Sequence, residues 1–530
     1  MATTPARPRT AAVAIVEQLV ALGADLAFGV PGESYLAVLD ALHDEPALRF
    51  VTCRHENGAA FAAEAHGKLT GRPGLAMVTR GPGVCNASIG IHTAQQDETP
   101  LLVLVGQVPR HQRGRDAFQE VDLSAVFGSI CKWVHELDDP QRAPEVLATA
   151  WTLARSGRPG PVVIGLPEDV LTEPCSAPLV ADAPVAGAAP SASAIAAVAD
   201  LLAASQRPLA IVGGSRWTDA AIAELPGALP GIPLVTGFRR QDLVDHRGDT
   251  FAGSLGLGAD PALVARVRAA DLVLAIGDRL DDPTTNGFTL FDGADPTLRL
   301  VHVHPSPEEH GRVHPATVAI ATEPGAFLAA LPTVRPGATW PAWAAAARAD
   351  YLAWVGNDTP LDAIVRGLRD LLPADAIITN GAGNFTRPVQ RSFAYHRPGR
   401  QLAPVSGSMG YGLPAAVAAA ATHPDRTVVC VAGDGDLMMT VQELATVAHE
   451  QLAIVVLVVD NRAYGTIRTH QERRYPGRPF ATALTNPDFV ALARSFGMLA
   501  ERTTGTGDTI AALATALASR RAALVHHVSE

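Results

Sequence analysis

The sequence predicts an α/β protein of three doubly wound parallel-sheet domains, and three observations carry that reading. The chain has 530 residues, 48% of them hydrophobic, too many for one core and enough for three units of roughly 150 to 180 residues. Short β-branched apolar runs alternate with longer helical stretches along its whole length, as they do where crossover helices bury a parallel sheet on both faces. Two Pro- and Ala-rich stretches without amphipathic period, 173–192 and 333–345, interrupt the alternation. The expected units are therefore 1–175, 190–332 and 355–530.

Taken in order, residues 11–22 are apolar but carry Glu17 and Gln18, which makes them an amphipathic helix and neither a membrane span nor a secretory signal. Strands are expected at 50–53, 75–79, 101–105 and 162–166 in the first unit. The second should hold 209–212, 272–276 and 300–303, and the third 376–379, 427–431 and 454–459. No short-period internal repeat is present. No run of 18 apolar residues exists, so no transmembrane helix is expected. The net charge of −11 disfavours nucleic acid as a partner. Cys53, Cys85, Cys131, Cys175 and Cys430 are scattered without metal-like pairing, which fits a reducing, cytoplasmic setting.

The most informative segment is 433–461. A Gly433-Asp434-Gly435 turn precedes a helical stretch expected over 437–449, then an apolar run, then Asp460-Asn461. A carboxylate and an amide carbonyl at the ends of neighbouring parallel strands can share a hard cation, and Gly435 lets the backbone approach a bulky anion. Helix N–H groups aimed at the same point would add to the attraction. The chemistry implied is a magnesium-type ion holding a diphosphate, with Asp434, Asn461 and the backbone carbonyl of Ala463 as ligands.

This pattern resembles the thiamine diphosphate signature, in which Gly-Asp-Gly is followed by Asn-Asn; here Asp460 replaces the first Asn. The likeness extends over nearly the whole chain to the acetohydroxyacid (acetolactate) synthase, or pyruvate oxidase-like, group of thiamine diphosphate enzymes. It implies pyrimidine-binding, central and diphosphate-binding domains in that order. By the same resemblance Glu56 is the acid against N1′ of the aminopyrimidine, a task helped by apolar surroundings that keep it protonated. Gly407 offers its carbonyl to the 4′-amine, Met409 wedges the cofactor into its bent form, and Asn384 reaches the terminal phosphates beside Gly433, Asp434 and Gly435. Gln119 matches an active-site glutamine.

The chain also departs from the pattern. Glu33 stands where synthases carry glycine and simple 2-oxo acid decarboxylases an acidic residue, so it is a candidate proton relay. His470 replaces a tryptophan of the acceptor pocket, and Phe385 a phosphate-side histidine. The chain stops soon after its last strand, leaving the loop around 464–480 as the expected lid. Gly277-Asp278-Arg279-Leu280-Asp281-Asp282 is similar to a flavin-lining segment, but the companion loop at 251–258 lacks the usual Met-His-Gly. FAD is expected, if at all, as a structural passenger and not as a redox partner.

The function implied is a lyase or transferase that forms an enamine from a 2-oxo acid or acyl donor and ligates it to a carbonyl acceptor. Non-oxidative decarboxylation, acyloin cleavage and a catalytically silent cofactor-binding homologue are the alternatives. In the family resembled one chain holds the pyrimidine end and another the diphosphate end, which implies a homodimer or homotetramer.

Overall fold

The apolar runs become central strands because crossover helices cover both of their faces, and they line up in three parallel sheets. The computed structural model describes residues 9–183, 186–356 and 359–529. The first sheet contains β1 (Leu26–Gly29), β2 (Arg49–Thr52), β3 (Gly74–Val78), β4 (Leu101–Gln107), β5 (Trp133–Glu136) and β6 (Pro161–Pro167), in the order β2-β1-β3-β4-β6-β5. The second holds β7 (Pro208–Val212), β8 (Leu234–Thr236), β9 (Phe251–Ser254), β10 (Leu272–Ile276), β11 (Arg299–His304) and β12 (Val318–Ala321), in the order β12-β11-β10-β7-β8-β9. The third holds β13 (Ile377–Asn380), β14 (Arg400–Leu402), β15 (Val428–Gly433), β16 (Ile454–Asp460), β17 (Leu499–Thr503) and β18 (Ala523–Val528), in the order β14-β13-β15-β16-β18-β17. The outer sheets thus share one topology, while the middle sheet follows the dinucleotide-binding order.

Two expectations need correction. The stretch 333–345 is not simply a seam: Pro341 opens the helix Trp340–Val355, whose Trp340 indole donates to the Ser205 carbonyl and packs into the middle core. The single helix expected over 437–449 is broken into the four-residue helix Asp434–Leu437, a 3-10 turn at Val441–Glu443 and the helix Leu444–His449. Thr440 causes the break, since its hydroxyl turns to the Gly410 carbonyl at 2.6 Å instead of continuing the helix.

The units are joined by small residues and by buried charge. The Ala-rich helices Glu56–Thr70 and Gly412–Thr422 share one core, which ties the first unit to the third. Between the first unit and the second, Glu98 ends the helix Gly81–Asp97 in left-handed backbone (φ 55°) and points into the middle sheet. There it pairs with Arg158 at 3.4 Å, His304 at 3.4 Å and Arg279 at 3.7 Å. Burial alone would raise the Glu98 carboxyl, but His304, Arg279 and Arg158 outweigh it and hold it down to about 2. Burial alone would lower His304, and the Glu98 carboxylate outweighs that and holds it above its ordinary value.

Replacing Glu98 by Gln leaves His304 without its counter-charge and Arg158 and Arg279 with Glu309 and Asp281 alone, and should cost about 3–5 kcal/mol in urea unfolding. The linkage has a defined window. The depressed Glu98 stabilises above its ordinary 4.5 and loses that contribution as pH falls toward about 2, whereas the raised His304 stabilises below its ordinary 6.5 and loses its contribution as pH rises past it. Unfolding across pH should show the Glu98→Gln penalty largest between about 4.5 and 6.5; a penalty independent of pH would contradict the pairing.

Candidate active site

Loops at the carboxyl ends of parallel strands bring the chemistry together, at the switch points where ligands bind in such sheets. In the third sheet β15 and β16 pair with Gly433 opposite Val459, which carries the next residues, Asp434 and Asp460, side by side. A cavity of about 550 Å³ opens at this edge. Its lining includes Asn384, Gly407, Met409, Gly433, Asp434, Gly435, Asn461 and Ala463, so every cofactor and metal residue expected from the sequence meets in one place.

Local chemistry explains the walls. Asn461 Oδ1 accepts the Ala463 amide at 3.0 Å, bending the loop so that both residues face the cavity. Asn384 Oδ1 accepts the Thr466 hydroxyl at 3.0 Å. Phe385 lies against Gly433, where a Cβ would come within 2.7 Å of its ring, and forms an apolar wall. Gly407 takes φ 70° with open space where a side chain would stand, so its backbone is exposed to a ligand. The loop around it is held by the other two units: Ser406 N donates to Asp97, Thr93 meets Ser406 and Ser408, and Arg239 donates to the Pro404 carbonyl.

Three side chains that brace this edge were not read from the sequence. Asp436 accepts the amides of Ala382 at 3.0 Å and Gly410 at 2.9 Å, tying two cavity loops together, and burial pushes its carboxyl up to about 7. The repeat of Asp two residues after Asp434 was its one local signal. Asn486 donates at 2.8 Å to both Asp434 Oδ2 and Asp460 Oδ1, and His526 Nε2 lies 2.9 Å from Asp460 Oδ2. Nothing near either residue in sequence announces this. Burial raises Asp434; burial would also raise Asp460, but His526 and the Arg462 amide hold it below its ordinary value.

A second edge gathers the other expected residues. Glu56 opens its helix behind the His55 cap, half-buried, with Asn86 donating to Oε2 at 3.0 Å and Gly83 packed beside Oε1. Ser34 and Thr79 are linked at 2.8 Å, and the Gly81 amide donates to the Gln119 carbonyl at 3.0 Å. Gln119 itself takes φ 63°, an unusual conformation for a residue with a side chain. Glu33 is exposed on this edge, at the start of a 3-10 turn. No residue of the first unit lines the third-sheet cavity. His470 is exposed on the helix Gly465–Arg474 and does not line it either.

The middle sheet has its switch point between β7 and β10. A Cβ on Gly213 or Gly237 would overlap the Asp278 carboxylate, so that side chain fills the crevice where a dinucleotide diphosphate would approach. Arg279 is committed to Glu98, Asp281 and the Gln96 carbonyl. The neighbouring cavity measures about 170 Å³. These residues do not fit a flavin diphosphate.

Residues 9–126, 195–331 and 381–527 match the thiamine pyrophosphate enzyme N-terminal TPP binding domain, central domain and C-terminal TPP binding domain. The chain is 34% identical over 511 residues to the acetolactate synthase large subunit of Parasynechococcus marenigrum, covering 92% of this chain and 82% of that one. It is 33% identical over 522 residues to the acetolactate synthase isozyme 2 large subunit of Escherichia coli K12, covering 97% and 94%. With Corynebacterium glutamicum acetolactate synthase large subunit the identity is 31% over 530 residues. Identity of this level across almost the whole length, together with the three matched domains, means that the chain belongs to the acetolactate synthase family of thiamine pyrophosphate enzymes.

Proposed function

We propose that the protein is a thiamine diphosphate- and magnesium-dependent carboligase that takes a 2-oxo acid or related acyl donor and joins its acyl unit to a carbonyl acceptor. The observation that carries this is a third-sheet cavity that brings Asp434, Asn461, Asn384, Gly407 and Met409 together. When bound, thiamine diphosphate supplies the carbon nucleophile and the electron sink. Asp434, Asn461 and the Ala463 carbonyl would hold the ion that offsets the diphosphate charge, an oxygen-donor set suited to magnesium. Glu56 holds a proton at N1′ of the aminopyrimidine, and the Gly407 carbonyl accepts from the 4′-amine. In this reading Gln119 and Glu33 would serve the reacting carbon from the first sheet, and His470, exposed on the helix Gly465–Arg474, would shape the acceptor side. Asp278 in the middle crevice supports a flavin-free enzyme.

That no residue of the first unit lines the Asp434 cavity supports assembly from two chains, one contributing Glu56 and its partner that cavity. Exposed apolar side chains stand on both units, Phe118 at 75% and Val126 on the first, Phe480 at 81% and Ile467 on the third, as a contact surface between copies would require. Free cysteines and the lack of a helix long and apolar enough to cross a membrane among the described residues fit a cytoplasmic setting.

Product analysis with a panel of 2-oxo acids, with and without aldehyde or ketone acceptors, tests the reaction; release of aldehyde without ligated product under all conditions would remove the carboligase reading. Glu56→Gln should slow turnover by roughly 10²- to 10⁴-fold with the cofactor still bound, and unchanged hydrogen–deuterium exchange at the cofactor's reactive carbon would assign Glu56 elsewhere. Mixing inactive Glu56→Gln and Asp434→Ala chains under subunit exchange should restore activity, because one of the two mixed sites is then intact in both halves. A fully active monomer by light scattering would refute the shared site. Glu33→Gly should lower ligation without revealing new product if Glu33 orients the acceptor; a rise in ligated product at the expense of aldehyde would instead make it the proton donor of a decarboxylase.

A further inference from the structure

Two carboxylates at the cation site is the feature the cofactor signature does not explain, and the structure surrounds them with a specific support. The segment after the lid helix returns alongside the metal loop: Tyr464 N donates to the Thr482 carbonyl at 2.9 Å and Leu484 N to the Arg462 carbonyl at 2.8 Å. This strap delivers Asn486 to a point between β15 and β16. Its amide nitrogen lies 2.8 Å from Asp434 Oδ2 and 2.8 Å from Asp460 Oδ1, so its two hydrogens serve the two carboxylates. Asp460 is fixed in turn by the Arg462 amide at 3.0 Å and by His526 Nε2 at 2.9 Å, and the His526 ring is seated edge-on against Phe489.

We propose that Asn486 is a positioning residue for the cation site, with Asp460 and His526 as its backing, and that this assembly sets the affinity for the divalent ion. The inference rests on the reading of Asp434 as a metal ligand. Three consequences of the geometry support it. Asn486 holds Oδ2 of Asp434, a residue that lines the cavity, so the carboxylate is oriented before the ion arrives. Asp460 does not itself face the cavity, as its absence from the lining shows; it brings a second negative charge close to the ion without taking a coordination place. The His526 and Arg462 contacts fix Asp460 against Asp434, and the Asn486 amide bridges the two carboxyl groups where they meet. Groups that orient metal ligands in this way are worth about 10- to 100-fold in metal affinity.

The test uses Mn2+ as the probe, titrated into the full chain with thiamine diphosphate present and followed through the electron paramagnetic resonance signal of the free ion. Asn486→Leu is expected to weaken Mn2+ binding by about 10- to 100-fold with the far-ultraviolet circular dichroism unchanged. Asp460→Ala removes the bridged partner and should weaken it in the same direction, and it carries the test should the Leu variant not fold. A purely structural Asn486 would lower the unfolding midpoint and leave Mn2+ affinity where it is; that result, in whichever variant folds, overturns the proposal. If the unaltered chain captures no Mn2+ with thiamine diphosphate present, the metal reading itself fails and this inference falls with it, whereas capture by the unaltered chain and equal capture by the variants defeats this inference alone.

Discussion

The pairing of β15 with β16 is the constraint on which the site depends. Gly433 stands opposite Val459, so the carboxylates that follow emerge together at the edge of the sheet. Both strands are buried along their full length, which leaves them no polar face to report a slip. Register is set instead by the residues beyond: Asp434 and Asp460 must meet Asn486, and Asp436 must reach the amides of Ala382 and Gly410. A shift of one residue would turn every side chain of β16 to the other face and part the pair. The core strands and the chemistry at their ends therefore specify one another.

The same economy governs the loop that carries Gly407 and Met409. A glycine-rich loop has little of its own to hold it in one shape. Here Asp97 and Thr93 reach it from the first unit and Arg239 from the second, while Asp436 binds it from below. The close approach of Ala-rich helices from the first and third units makes those reaches short. Rigidity of the cofactor surface is thus a property of how the units pack and not of the loop sequence.

Central strands were legible because each is a continuous apolar run, and the expected 272–276 coincides with β10. The strands that went unread are mostly short or edge elements. Examples are β14, whose sequence is Arg-Gln-Leu, and β17, which is largely exposed and carries Glu501 and Arg502. For such segments pairing with a neighbour, and not local pattern, decides the conformation. Pro341 misled in a different way, since proline in the first turn starts a helix as readily as proline elsewhere interrupts one. The cofactor residues were found through a short motif whose members lie close in sequence. Asn486 and His526 were not, because they reach Asp460 across 26 and 66 positions and carry no local mark.

The first and third sheets have the same strand order, and each carries candidate site residues at its carboxyl edge, Glu56 on the first and the Asp434 cavity on the third. The two rims differ in what they carry: Glu56 follows β2 in the first unit, and the Gly433-Asp434-Gly435 turn ends β15 in the third. The middle sheet, with a different order and a filled crevice, contributes no side chain to the eight cofactor positions. Its part is that of a brace: Arg239 holds the Pro404 carbonyl in the loop that carries Gly407, and Arg279 and His304 hold Glu98 at the end of the helix that supplies Thr93 and Asp97 to the same loop. The centre of the chain thus reaches the cavity without lining it, and a change in the middle sheet would be felt at a surface it never touches.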